Sequence, residues 1–338
     1  MQISNGVKKI SMTILFIIIG LILLVVGYLF VGSVKPAQNI EWGVVFSQKH
    51  AKYLGLDWQK TFLALLDDLQ VKKLKIASYW DLIESGEGEY DFTDLDWQIA
   101  KAGQRGAKVL LVVGMKSPRW PECHLPDWAR GLNQSAQQEK ILKLLEALVL
   151  RYQDSDVIDS WQVENEPFFI FGECPWADKQ FLKKEVALIK SLDAKHRPVV
   201  ISESGEGFFW LEAAGIGDVV GITMYKKVWV SQFGFYLTYP FPPVFYHRKA
   251  EIVRKFFGKE VICIELQSEP WGPKLLYDVP LQEQQKTMNL KQFQYNINFA
   301  QKTGLKEFYL WGAEWWYWMK EKQLQPSIWD EAKNLFNQ

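Results

Sequence analysis

Hydrophobic residues follow three rhythms along the chain. From residue 10 to residue 34 there is no charge, and residues 14–31 are apolar apart from Gly20, Gly27 and Tyr28. Further on, short apolar, β-branched runs occupy residues 40–46, 74–77, 109–113, 158–163, 199–202, 219–223, 261–264 and 308–311. Between them lie segments with apolar residues three and four apart, at 58–69, 95–102, 137–152, 181–192, 281–301 and 328–336. A shorter such segment at 208–214 follows the fifth run, and the one after the sixth starts late, near Pro243. Near-continuous hydrophobic strands alternating with helices predict a parallel sheet covered by helices. Eight such units predict an α/β fold, a closed (β/α)8 barrel of typical size. The rival, an open doubly wound sheet, would carry a Gly-rich phosphate loop after its first strand, and none is present.

The first rhythm is a different object. Twenty-five uncharged residues in a helix rise roughly 37 Å, enough for a hydrocarbon core of about 30 Å. The pattern therefore predicts residues 10–34 as a transmembrane signal anchor, with a cleaved signal peptide as the alternative. Lys8 and Lys9 precede the run, which puts residues 1–9 in the cytoplasm and everything after it outside. No linker divides residues 36–338, which read as one catalytic domain, expected to be monomeric.

Charge sharpens the division. The whole chain carries 39 basic and 39 acidic side chains, a balance that argues against a nucleic-acid partner. Without residues 1–34 the ratio is 37 to 39, a nearly neutral exported part that suits an uncharged substrate. Sixteen tryptophans and 34 other aromatic residues point either to a large core or to surfaces that stack on flat ligands.

In such barrels the active site forms at the C-terminal ends of the strands. The polar residues there are mainly carboxylates, amides and aromatics: Ser78-Tyr79-Trp80-Asp81 after strand 2, Arg119-Trp120 after strand 3, Glu164-Asn165-Glu166-Pro167 after strand 4. Glu203, Tyr225, Glu265 and Trp311 follow strands 5 to 8. Glu166 and Glu265 lie three units apart, so both would point into one bowl. Glycoside hydrolysis needs such a pair, one acid to protonate the leaving oxygen and one carboxylate at the anomeric carbon.

Trp161-Gln162-Val163-Glu164-Asn165-Glu166-Pro167, placed on the fourth strand, resembles the strand-4 motif of clan A glycoside hydrolases, a group of retaining barrel enzymes that includes cellulases and β-galactosidases. The resemblance extends over essentially all of residues 36–338. It implies Glu166 as acid/base, Asn165 as the contact to the sugar 2-hydroxyl, Glu265 as nucleophile, Tyr225 as its hydrogen-bond partner and Trp311 as the floor under the sugar. Two positions depart from the clan pattern: Lys75 stands where an Arg is usual on strand 2, and Thr223 stands where one large family has His. The expected activity is a retaining glycosidase acting on a β-linked carbohydrate outside the membrane. A non-catalytic carbohydrate-binding barrel, a transglycosylase and a metal-dependent hydrolase of the same fold are the alternatives.

Glu164 shares a side with Glu166 by alternation and would line the same bowl, and Glu269 competes with Glu265 as nucleophile. Glu203 is a candidate sugar ligand. Ten tryptophans fall in or beside strand-end loops, Trp315 and Trp316 among them; Trp311, then Trp80 and Trp120, are the candidates for stacking on sugar. Cys123 and Cys174 lie in adjacent loops and are expected to form a disulfide in an oxidising compartment, against two unpaired thiols. Four histidines show no ligand spacing, and no metal or other cofactor is expected.

Overall fold

The computed structural model describes residues 5–169, 171–207 and 209–337, with side chains from residue 14 onward. Eight parallel strands close into a barrel: β1 Glu41–Phe46, β2 Lys73–Ala77, β3 Lys108–Val113, β4 Ile158–Val163, β5 Val199–Glu203, β6 Val219–Met224, β7 Glu260–Gln267 and β8 Glu307–Trp311. Each pairs with its neighbours in chain order, and β8 returns to β1. The helices pack outside, where Leu74, Ile76, Leu111 and Val113 meet a large buried cluster. The alternate residues Val45, Leu110, Val200, Ile264 and Tyr309 fill the barrel interior, with Trp311 above them. Period-two alternation along each strand sorts the two populations.

β7 departs from that alternation. Cys263 pairs with Ile222 but Glu265 pairs with Thr223, and on its other edge Cys263 and Leu266 face Phe308 and Leu310. Both neighbours therefore see one extra residue in β7, a bulge. It allows Ile264 to pack in the interior while the next residue, Glu265, also turns inward.

Several elements differ from the sequence pattern. The segment 281–301 is two helices, Leu281–Gln284 and Leu290–Gln301, because Asn289 caps the second through its side chain on Gln292 N. A two-stranded antiparallel hairpin, Lys227–Val230 with Phe235–Thr238, follows β6 and delays the next helix to Pro243–Phe257. Another helix, Ala313–Lys322, directly follows β8 and buries Trp315 and Trp316 completely, so neither reaches the bowl. Residue 208, the expected start of the short helix after β5, lies outside the described residues; that helix is Leu211–Ile216.

The N-terminal apolar run forms a helix, Asn5–Phe30, shorter at its C-terminal end than the span expected over 10–34. Its last turn packs on the helix Pro243–Phe257, with the Phe30 ring 5.2 Å from that of Phe245. Among the described residues no helix is long and apolar enough to cross a membrane. Lys8 and Lys9 lie outside the described side chains.

Cys123 and Cys174 are joined in a disulfide across 51 residues, tying the loop after β3 to the loop after β4; Cys263 is a buried free thiol. Cross-linking a loop of that length constrains the unfolded chain by about 2–4 kcal/mol. Reducing the bond, or replacing both cysteines with Ala, should lower the denaturant midpoint by the corresponding amount, as read by urea unfolding with and without reductant.

Candidate active site

The chain leaves β4 through a contorted turn. Glu164 (φ 57°) and Glu166 (φ 43°) both adopt the left-handed region, at a cost of about 1–2 kcal/mol each for a non-glycine residue. Tertiary bonds hold them there. The Glu164 carboxylate accepts the backbone N–H groups of Met115 (2.8 Å) and Lys116 (2.5 Å), and Asn165 N donates to Lys116 O at 2.7 Å. Lys116 Nζ returns to the carbonyls of Glu166 (3.1 Å) and Phe169 (2.7 Å). Gly114 (φ 111°) makes room: a Cβ there would lie 2.3 Å from the Glu164 carboxylate. Glu164 therefore does not line the bowl. It braces the loop, because the left-handed turn breaks the strand alternation that would have put it beside Glu166.

Glu166 is placed by that brace. Its backbone N–H donates to Ser202 Oγ at 2.7 Å, and its Oε1 accepts from Thr223 Oγ1 at 3.2 Å. Burial and the nearby Glu265 carboxylate push its pKa up to about 7. Glu265 has a different environment. Lys75 Nζ, fully buried in the barrel interior, donates to its Oε1 at 2.8 Å, and Tyr225 Oη donates to its Oε2 at 3.0 Å. Burial and the field of Glu265 thus favour a protonated Glu166, while Glu265 itself is hydrogen-bonded by an ammonium and a phenol.

A cavity of about 390 Å³ lies over this pair. It is lined by Glu166, Glu265, Asn165, Tyr225, Trp311 and Trp120, six of the residues singled out by the sequence. Asn165 is fixed by two bonds: its Oδ1 accepts from Gln162 Nε2 at 3.1 Å, and its Nδ2 donates to Glu122 at 3.2 Å. Trp311 carries the guanidinium of Arg119 over its ring at 3.8 Å, so Arg119 occupies one face of the indole. Arg119 in turn pairs with Glu269 and with Glu314. Glu269, also salt-bridged to His50, is held at a pKa of about 2 despite its burial. That network engages Glu269, while Glu265 holds the place beside Tyr225 and Lys75.

Two candidates lie elsewhere. Trp80 is fully buried, bonded through Nε1 to Glu84 and packed edge-on against Trp128 at 5.7 Å, so it is core rather than platform. Glu203 ends β5 but accepts the N–H of Ala213 at 2.8 Å, holding the first turn of the next helix outside the cavity. Their strand-end positions are those of site residues, but their side chains turn away from the bowl. Glu122, Glu206, Trp271, Phe169 and Phe171 do line it. Phe171 links Trp120 (6.1 Å) to Trp271 (6.0 Å), and Trp271 meets Tyr225 (5.2 Å), a continuous aromatic wall. Trp120 and Tyr225 are among the residues expected from the sequence, whereas the apolar run after Pro167 is the one signal for Phe169 and Phe171. No cluster of three or more potential metal ligands occurs among the described residues.

A family model described as beta-galactosidase, of glycoside hydrolase family 42, matches residues 56–204, the stretch that contains Glu166. A curated relative, beta-galactosidase BgaA of Clostridium cellulovorans, is 25% identical over 174 residues, covering 45% of this chain. Those residues span 26% of that relative's length. Among solved structures, a GH5_18 protein from Bifidobacterium longum subsp. longum aligns with a TM-score of 0.59 at 13% identity, over 81% of this chain and 70% of that one. A beta-galactosidase from the haloarchaeon Halorubrum lacusprofundi aligns at 0.55 and 16%, over 80% and 52%. The endo-beta-1,4-xylanase of Gloeophyllum trabeum aligns at 0.55 and 16%, over 81% and 85%. The structural likenesses establish a shared barrel. The family match over residues 56–204 supports a glycoside hydrolase.

The Lys75–Glu265 pair yields a direct test. Removing one partner of a buried ion pair leaves an uncompensated charge and costs about 3–5 kcal/mol. Lys75→Met should therefore destabilise the protein by that order at pH 7. Replacing Glu265 with Gln in the same variant removes the unpaired charge and should recover most of the loss; urea unfolding of the single and double variants reads the difference.

Proposed function

We propose that the protein is a retaining β-glycosidase in which Glu265 is the nucleophile and Glu166 the acid/base. The observation that carries the reading is the asymmetry of the two carboxyls. Glu265 is bonded by a buried ammonium and a phenol, whereas Glu166 accepts from a threonine hydroxyl and feels the field of Glu265 more strongly than that of Lys116 or Glu206. In the first step a Glu265 oxygen bonds the anomeric carbon while the glycosidic C–O bond breaks. The leaving oxygen takes the Glu166 proton. In the second step Glu166, now a carboxylate, takes a proton from water as that water attacks the anomeric carbon and releases Glu265. Loss of the Glu265 charge in the covalent intermediate removes one cause of the raised Glu166 pKa, which favours its switch from acid to base.

β-D-Galactosides are the first substrates to test, because the matching family model and the curated relative carry that name. The aromatic wall from Tyr225 to Trp120 gives the apolar faces of sugar rings a surface to stack on. Glu166→Ala should keep turnover on aryl glycosides with good leaving groups while losing at least about 100-fold on unactivated glycosides, and azide should rescue it as a glycosyl azide. Glu265→Ala should be inactive on all of them. Wild-type-like hydrolysis by both variants would refute the assignment. Since Glu166 must start protonated, kcat/KM should fall as pH rises through about 7, measured on an unactivated substrate.

The same reading includes a tether. Ile14, Leu15, Phe16, Ile17, Leu23 and Leu24 are each at least half exposed on the N-terminal helix, and apolar side chains so exposed need a cover. A bilayer supplies one, with Lys8 and Lys9 on the cytoplasmic side and the disulfide-containing barrel outside. Full-length protein should stay with membranes through carbonate extraction, and the 36–338 fragment should not. Release of both alike would refute the anchor.

A further inference from the structure

Glu122 is a third carboxyl in the cavity, and neither the double displacement nor the ion-pair network uses it. It sits in the loop after β3, 7% exposed. Its backbone is left-handed (φ 71°), as is that of Arg119 (φ 85°). The loop is tied in on every side: Ser117 N donates to Glu122 O (2.8 Å), Glu122 N to Arg119 O (2.7 Å), and the next residue is the disulfide-bonded Cys123. A non-glycine residue held in this way signals a side chain whose position matters.

The surroundings define its chemistry. Glu166 and Glu265 face it from β4 and β7, and Lys116 faces it from its own loop. Lys75 is bonded to Glu265, Arg119 to Glu269 and Glu314, and Lys116 Nζ to two carbonyls. Among the described residues, the one side-chain hydrogen bond to Glu122 comes from the neutral amide of Asn165, to Oε2. A carboxyl crowded by two others, with the nearby cations engaged elsewhere, is cheapest to keep as a neutral acid. Burial and the Glu265 charge push its pKa up to about 8. A neutral carboxyl has one acceptor oxygen, which Asn165 uses, and one O–H donor left over.

We propose that Glu122 is a glycone-binding residue: it accepts from Asn165 through one oxygen and donates from the other to a sugar oxygen next to the hydroxyl read by Asn165. This rests on the glycosidase reading for the nature of the ligand, but not on hydrolysis itself. A glutamine at this position has the same shape, a carbonyl for Asn165 and an N–H for the sugar, and does not ionise.

The test is the affinity of phenyl 1-thio-β-D-galactoside and phenyl 1-thio-β-D-glucoside, which resist hydrolysis. It is read by tryptophan fluorescence in the full-length protein between pH 6 and pH 9. Wild-type affinity should fall as pH rises through about 8, where the donor is lost. Glu122→Gln should bind within about threefold of wild type at pH 6 and lack that fall, and Glu122→Ala should bind at least about tenfold more weakly at every pH. Circular dichroism and the intact disulfide would show both variants folded. A Glu122→Ala variant within twofold of wild type, or a Glu122→Gln variant that keeps the alkaline fall, overturns the proposal. Wild type that binds neither thioglycoside overturns it together with the glycosidase reading. Wild type that binds them but hydrolyses no β-glycoside refutes only that reading.

Discussion

Carboxyl groups sharing one cavity cannot all be charged cheaply unless something opposes the charge, and the rest of this site follows from where the opposing charge sits. Lys75 is fully buried and spends its ammonium on Glu265. Desolvation would make either charge costly alone, so each depends on the other. The field of Glu265 in turn raises the proton affinity of Glu166 and Glu122 around it. Lys116 offsets part of that rise at both.

That distribution requires positioning that regular strands do not provide. β7 contains a bulge that turns Glu265 inward beside Ile264. β4 ends in a turn with two left-handed glutamates, and the first of them, Glu164, is a strut to the backbone after β3. The loop after β3 carries two more left-handed residues and is stitched to the loop after β4 by the disulfide. In each place local backbone cost is offset by tertiary hydrogen bonds, an exchange made where geometry has to be specified.

Much of this was legible in the residues. Eight β-branched runs alternating with helical periodicity gave the barrel, and the strands observed match the expected runs to within a few residues. Asn165-Glu166, Tyr225, Glu265, Trp120 and Trp311 all meet in one cavity. Trp80 and Glu203 were misplaced because position at a strand end says which end of the barrel a residue occupies and nothing about the direction of its side chain. Glu164 was misplaced because alternation was extended into a turn that does not alternate. Trp315 and Trp316 were placed in a loop because the helix Ala313–Lys322 has no apolar stripe: aromatic and charged residues stand side by side in it.

The sequence by itself determined the fold class, the two glutamates and the bowl they share, because these depend on local rhythm and on residue types that few other functions use. Only the tertiary structure decided which carboxyl meets an ammonium, which is crowded by other carboxyls and which braces a loop. Those roles depend on partners far away in the chain: Lys75 and Glu265 are 190 residues apart, and Arg119 and Glu314 are 195. Closure of the barrel brings such groups together, and local periodicity carries no record of the encounter.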